Sequence, residues 1–132
     1  MSISIRFTED GKGIIQEAWE VLRVEEMEDA LREVQANEQA FRNVIYVLSD
    51  LSKVTKMPVS VDEVRHIAAK DRPMGPLNPN LISATVAPTD VIFGLARMWQ
   101  VFVTRDGWKA EIFRSRIEAE EWLQTEIPGL TF

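Results

Sequence analysis

The sequence predicts an α/β fold: a mostly parallel sheet with flanking helices and an antiparallel N-terminal hairpin, in the order β-β-α-β-α-β-α-β-α. Three features carry the layered architecture. The run VIYVL at 44–48 is apolar without interruption and rich in branched side chains, as a strand covered on both faces requires. Strand and helix periodicities alternate along the rest of the chain. The pattern Ser-x-x-Glu stands at two helix starts, Ser60 with Glu63 in SVDEV and Ser115 with Glu118 in IFRSRIEAEEWL. In such a box the serine hydroxyl accepts from the amide three residues on, and the glutamate accepts from the serine's own amide.

Ile3, Ile5 and Phe7 alternate with polar residues as a half-buried strand does, and the glycine-bearing turn EDGKG leads into a second strand at 14–21. Met27, Ala30, Leu31 and Val34 recur at helical spacing, with Glu25 and Glu26 at the positive end of the macrodipole, which predicts a helix over 24–38. After the 44–48 strand, SDLSKVTKMP reads as a connection to a helix over 61–70 whose buried side is Val61, Val64, Ile67 and Ala68. Residues 71–80, DRPMGPLNPN, hold three of the six prolines and a glycine, so a loop without helix or strand is expected. A buried strand at 81–87 ends at Pro88. Thr89 then caps a long helix over 90–104, which Asp106 and Gly107 end. The strand 109–113 and a last helix, with Trp122 and Leu123 inward, complete the order. The chain has 132 residues and no internal repeats, and its proline-rich loop is too short to separate two units, so residues 1–132 are expected to form one domain.

Cysteine is absent, which removes disulfides, thiolate metal sites and cysteine nucleophiles and fits a reducing compartment. The opening MSISIRFTEDGKG lacks the charged, apolar and small segments of a signal peptide, and no apolar run approaches the ~18 residues of a membrane span. A cytoplasmic location is expected. The net charge of −6 is unevenly placed: residues 1–41 carry ten acids and four bases, and the other 91 residues carry eleven of each. Acidity concentrated on the first helix opposes phosphate backbones, so no nucleic acid partner is expected.

Signals of catalytic chemistry are few. His66 is the only histidine, and at ~100° per residue it lies far round its helix from Val64 and Ala68, facing water. Without cysteine or a second histidine a zinc site would rest on carboxylates, and Glu25, Glu26, Glu28 and Asp29 lack the alternating spacing and turn glycine of a calcium loop. No glycine-rich phosphate loop follows a strand, and no G-x-S-x-G elbow occurs. No catalytic residue, metal or cofactor is therefore assigned, and a non-enzymatic protein is expected. The polar candidates are Asp50, placed just past the carboxyl end of the 44–48 strand where open α/β sheets bind ligands, and Thr89 with Asp90 at the next helix start. Each also suits a turn or cap.

The 90–104 helix holds more apolar surface than one sheet needs. Ile92, Leu95, Ala96, Trp99 and Val103 form a core face, while Val91, Met98 and Phe102 widen the apolar arc to about 160° where about 100° suffices. Asp90, Gly94, Arg97, Gln100 and Thr104 form the polar stripe. The excess predicts a contact with a second copy of the chain, or the wall of an apolar pocket, with Met98 supplying adaptability; neighbouring elements covering it explain it equally. Met74 and Leu77 are expected to be exposed on the 71–80 loop, where they either close over this flank as a lid or pack down. Lys70, Arg72 and Arg97 are placed to meet an anionic head group, as membrane association would require, although acids nearby in sequence leave no strong basic patch.

The stretch YVLSDLSKVTKMPVSVDEV resembles the strand, turn and helix of STAS domains. A more specific resemblance is to the SpoIIAA-like family of small bacterial proteins, whose C-terminal halves read like VAPTDVIFGLARMWQVF followed by IFRSRIEAEEWL; it covers about residues 44–123. The resemblance implies a STAS-like fold and a non-enzymatic protein, with lipid or membrane association for some members. Laid over the phosphorylated STAS pattern, DLSKVTKMPVSV puts Pro58 at the usual aspartate and Val59 at the usual phospho-acceptor serine, and only Ser60 matches the second serine. Val59 cannot accept phosphate. The kinase-controlled partner switch is not expected here, and Ser60 is read as a helix cap. The expected function is a regulatory binding or interaction module that works as a homodimer or on a protein partner, through the 90–104 helix and the 71–80 loop. The alternative is a binder or carrier of a lipid-like or other apolar small molecule in a cleft between them. Met74, Leu77, Val91, Leu95, Met98 and Phe102 are the contact residues in either case.

Overall fold

The computed structural model describes residues 2–105 and 107–132. Strands β1 (Ile3–Phe7) and β2 (Gly13–Val21) form the expected hairpin, with Ile3 opposite Ala18 and Phe7 opposite Ile14. There follow α1 (Val24–Ala36), a short α2 (Glu38–Asn43), β3 (Tyr46–Lys56), α3 (Val61–Asp71), a 3₁₀ helix (Arg72–Leu77), β4 (Ile82–Val86), α4 (Asp90–Arg105), β5 (Lys109–Phe113) and α5 (Arg116–Glu126). The five strands lie side by side in chain order, with β2 to β5 parallel and β1 antiparallel at the edge. This is the predicted α/β architecture, with α2 and the 3₁₀ helix added to it.

The strand order decides where the helices go. When parallel strands follow one another across a sheet and every crossover keeps the same hand, each connecting helix lands on one face. Accordingly α1 and α4 pack with β1, β2 and β3 through Ala30, Ile92, Ala96, Ile3, Ala18, Leu51 and Val54, and α3 meets α4 through Ala68 and Val103. The last helix, α5, has no strand to return to and covers the other face, where Ala119 and Leu123 are fully buried against Ile15, Leu48, Ala84 and Val86. Gly13 belongs to that face's packing: a Cβ there would lie 2.1 Å from the Cζ of Tyr46.

Several local expectations are corrected. Residues 24–38 do not form one helix: the Asn37 amide bonds the Val34 carbonyl at 3.0 Å and its side chain bonds the Glu33 carbonyl at 2.8 Å, ending α1 before α2 begins. β3 is eleven residues long rather than the five of its apolar run. Beyond Asp50 it pairs with β2 alone, so Ser52, Lys53, Thr55 and Lys56 are exposed while Leu51 and Val54 reach the core. Val61, the first residue of α3, is half exposed because it precedes the buried stripe of Val64, Ile67 and Ala68. The 71–80 segment is no plain loop. Pro73 stands in the first turn of a 3₁₀ helix, where no intrahelical N–H bond is lost, Pro76 lies within that short helix, and Pro79 follows its end. Asn78 fixes the end of this helix by donating its side-chain amide to the carbonyls of Phe41 and Val44 at 2.8 and 2.7 Å.

In α4 the expected polar stripe loses Gln100, which is buried and donates to the Ala110 carbonyl of β5 at 2.6 Å. Asp106, expected to help end this helix, lies outside the described residues; Gly107 takes the left-handed conformation, φ 110°, that a helix end favours. The box at α3 is complete: the Glu63 amide donates to Ser60 Oγ at 3.1 Å and the Ser60 amide to Glu63 Oε1 at 2.9 Å. At α5 the Glu118 amide donates to Ser115 Oγ at 3.3 Å, but the Glu118 carboxylate accepts from the Ser115 hydroxyl rather than from its amide.

Candidate functional site

Beneath α1, α3 and α4 the sheet does not pack shut. A cleft of about 170 Å³ separates it from those helices. Side chains alternate across a strand. On β4, Ala84 and Val86 face α5, so Ser83 and Thr85 face the cleft; on β3, Leu48 faces α5 and Ser49 the cleft. The register aligns Gln16 of β2 with Ser49 and Ser49 with Thr85, making a polar row across the three central strands that is flanked by Ile5 and Ile112. Ser83 stands one step along, level with Val47.

Ser83 and Thr85 are buried, at 5% and 7% exposure, yet among the described residues neither hydroxyl has a hydrogen-bond partner in the protein. No side-chain oxygen or nitrogen among the described residues is both fully buried and unpaired, so these two hydroxyls open onto the cleft. Alanine and valine would make a better core there, so the polar row is not what packing alone selects. The other walls are chiefly apolar, formed by residues such as Ala30, Leu31, Ile67, Leu95 and Trp108.

One charged group stands among them. Asp71, the last residue of α3, accepts a hydrogen bond at Oδ2 from the Trp99 indole Nε1 at 2.8 Å. Burial of its carboxyl, only partly offset by that bond, pushes its pKa up to about 6. Among the described residues it is the only ionisable side chain that lines the cleft.

Of the residues expected from sequence, Met74 and Leu95 line this cleft. Met74 is buried rather than exposed, because the 3₁₀ helix turns it down against Phe41 and Val34; Leu77 is half-buried beside the same cluster. Val91 is 70% exposed on the outer side of α4, while Met98 and Phe102 are half-buried, with the Arg65 guanidinium 5.8 Å from the Phe102 ring centre. Thr89 accepts from the Ile92 amide at 3.3 Å, a helix cap, and Asp90, almost fully exposed, pairs at 2.9 Å with Arg114, which is half-exposed over the Phe93 ring.

Asp50 lies within β3 and not past its end, on the α5 face and away from the cleft. The apolar run stopped short of the true strand end, which is why sequence placed it wrongly. Its carboxylate accepts from the Ser52 amide at 2.9 Å and from Arg116 at 3.2 Å. Burial pushes its pKa up, but the bonds from Ser52 and Arg116 outweigh it and hold the carboxyl below its usual range. Arg116 also reaches Glu17 at 3.3 Å and Glu120 at 3.0 Å, so three acids converge on one guanidinium that ties α5 to β2 and β3.

Sequence reading missed Gln16, Ser49, Asp71, Ser83 and Thr85. The signal was present. The alternation in ISATV reads as a solvent-facing stripe in isolation, but a central strand covered by helices on both faces has no solvent side, so its polar residues must face an internal space. Among the described residues no helix is long and apolar enough to cross a membrane, and no group of three or more His, Asp or Glu is placed to hold a metal ion.

No family model matches the sequence, and no curated protein matches it. Solved structures do share its fold. An uncharacterized protein of the DUF3478 family with a SpoIIAA-like fold, from Shewanella loihica PV-4, superimposes with a TM-score of 0.54 at 17% identity, covering 92% of this chain and 91% of that one. The anti-sigma factor antagonist SpoIIAA in its unphosphorylated form superimposes with a TM-score of 0.53 at 10% identity, covering 93% and 96%. The chain has a STAS/SpoIIAA-like fold.

Proposed function

We propose that this protein is a non-enzymatic binding module whose ligand is a small, mainly apolar molecule held in the cleft between the sheet and α1, α3 and α4. The observation that carries the reading is the polar row Gln16, Ser49 and Thr85 on an otherwise apolar inner wall. A wholly structural core would have no use for it. An engineered apolar cavity of about 150 Å³ takes up benzene, so about 170 Å³ suits one ring or a short chain, not a long acyl tail. The wall supplies neutral hydroxyls and one carboxyl but no histidine, lysine or cysteine, a set suited to holding a molecule and poorly equipped to activate one. That one protein of this fold is an anti-sigma factor antagonist also supports a regulatory interaction module over an enzyme.

Unfolding with and without toluene or indole tests this. A ligand at a hundred times its Kd stabilises the folded state by about 2.7 kcal/mol, and Ala96→Phe, which fills the cleft from α4, should abolish the gain. Equal responses from the wild type and the filled variant, or none from either, would sink the reading.

A second reading, contact with a partner protein or a second copy of the chain through the outer side of α4, is favoured by one observation. Val91 and Val101 are 70% and 50% exposed there, with Met98 and Phe102 half-exposed on the same helix. Light scattering should then report a homodimer that Met98→Glu dissociates into a folded monomer. A monomeric wild type excludes the homodimer.

A further inference from the structure

We propose that the cleft's ligand is a small cationic amphiphile, an aromatic or short aliphatic body carrying a primary amine that pairs with Asp71. This rests on the reading of the cleft as a ligand site and specifies the head group it accepts.

The charge pattern of the wall argues for it. Asp71 is the sole ionisable side chain lining the cleft among the described residues, and its neighbours in sequence, Lys70 and Arg72, do not line it. Lys70 is engaged outside, with Glu28 of α1. A carboxylate or phosphate head would thus enter beside a like charge and meet no cation, an arrangement that opposes ionisation of either group. The position of Asp71 adds to this, because the carbonyls at the end of α3 present the negative pole of the helix.

The hydrogen bonding of Asp71 points the same way. Trp99 donates to Oδ2, while Oδ1 has no partner among the described residues. A half-buried carboxylate with one protein donor and an oxygen open to the cleft has room for a second, and an ammonium would supply both that donor and the counter-charge in one charge-assisted bond. The hydroxyls of Ser83 and Thr85 offer neutral acceptors on the floor, and the indoles of Trp99 and Trp108 border the same space, as the faces that attract cations best. The volume admits a single ring with a short arm.

Calorimetric titration of the intact chain near neutral pH with 2-phenylethylamine, 2-phenylethanol and phenylacetate, three molecules of one shape and different charge, tests the assignment. The amine should bind about tenfold or more tighter than the alcohol, equivalent to about 1.4 kcal/mol, and phenylacetate should not saturate. In Asp71→Asn the amine should lose that advantage while the affinity for the alcohol holds, which also reports that the variant's cleft is intact. Phenylacetate binding as tightly as the amine, or an amine preference that survives Asp71→Asn, overturns the proposal. Binding of the alcohol without any preference for the amine leaves the cleft as a ligand site and removes the head-group assignment. No binding of any of the three removes both.

Discussion

Asp71→Asn should make the unliganded protein more stable at neutral pH. The carboxyl is raised from 3.8 to about 6 by burial against the opposing bond from Trp99. A group with a raised acid pKa disfavours the folded state wherever it must ionise: the penalty is absent below the unfolded value, grows as pH rises between the two values, and is complete above the folded one. Two pK units correspond to about 3 kcal/mol at about 1.4 kcal/mol each, an upper figure for a charge that surrounding water partly relieves. Asparagine keeps an oxygen for the Trp99 indole and cannot ionise. Urea midpoints of the wild type and the variant from about pH 4 to about pH 7 should therefore start close together and separate by on the order of 1–2 M, the variant ahead. Glu26, held low chiefly by Ser2, and Glu28, held low chiefly by Lys70, lose their stabilising effect as pH falls, but they do so in both proteins and cancel in the difference. A gap that stays constant across this range, or closes as pH rises, refutes the buried charge.

Thr85→Val should raise the unliganded protein's stability by at most about 1 kcal/mol, since it removes a cleft-facing hydroxyl with no protein partner at nearly constant volume; a loss in thermal denaturation would mean the hydroxyl has a structural role. Gly13→Ala should cost about 1–3 kcal/mol, because its Cβ must displace the Tyr46 ring, and near-native stability in urea would show that the ring moves freely. Ser60→Ala should lose about 1 kcal/mol through the missing cap, with its effect confined to stability; loss of ligand binding in a protein that remains folded would give Ser60 a role beyond the cap. Asp50→Asn should destabilise above about pH 4 and converge with the wild type in acid, because a lowered carboxyl stabilises only while ionised; convergence at high pH instead would reverse the assigned shift.

The layered fold was legible because its signals are local: an apolar strand, serine caps, and periodicities that switch between two and 3.6. What escaped was the consequence of stacking those layers. Gln16, Ser49 and Thr85 are ordinary polar residues in three separate segments, and only the register of β2, β3 and β4 brings them into one row. Gln100 deceived for a related reason. Its place on the helical wheel looked solvent-facing until β5 supplied a carbonyl for it to bond. Asp71 gave no local sign at all, since its burial depends on Trp99, 28 residues further on. The expectation of an apolar cleft beside α4 and the 71–80 segment nonetheless found Met74 and Leu95, the two of its six contact residues that line it.

The pairing of Trp99 with Asp71 has an optical consequence. The chain has four tryptophans, and two of them, Trp99 and Trp108, border the cleft, with Trp99's indole N–H ending on a carboxylate whose charge changes near pH 6. Indole emission responds to charge and polarity beside the ring, so the interior carries its own fluorophores. Filling of the cleft and protonation of its single acid should each register in the native spectrum without a label, and Trp99→Phe would separate the signal of the Asp71 partner from that of Trp108.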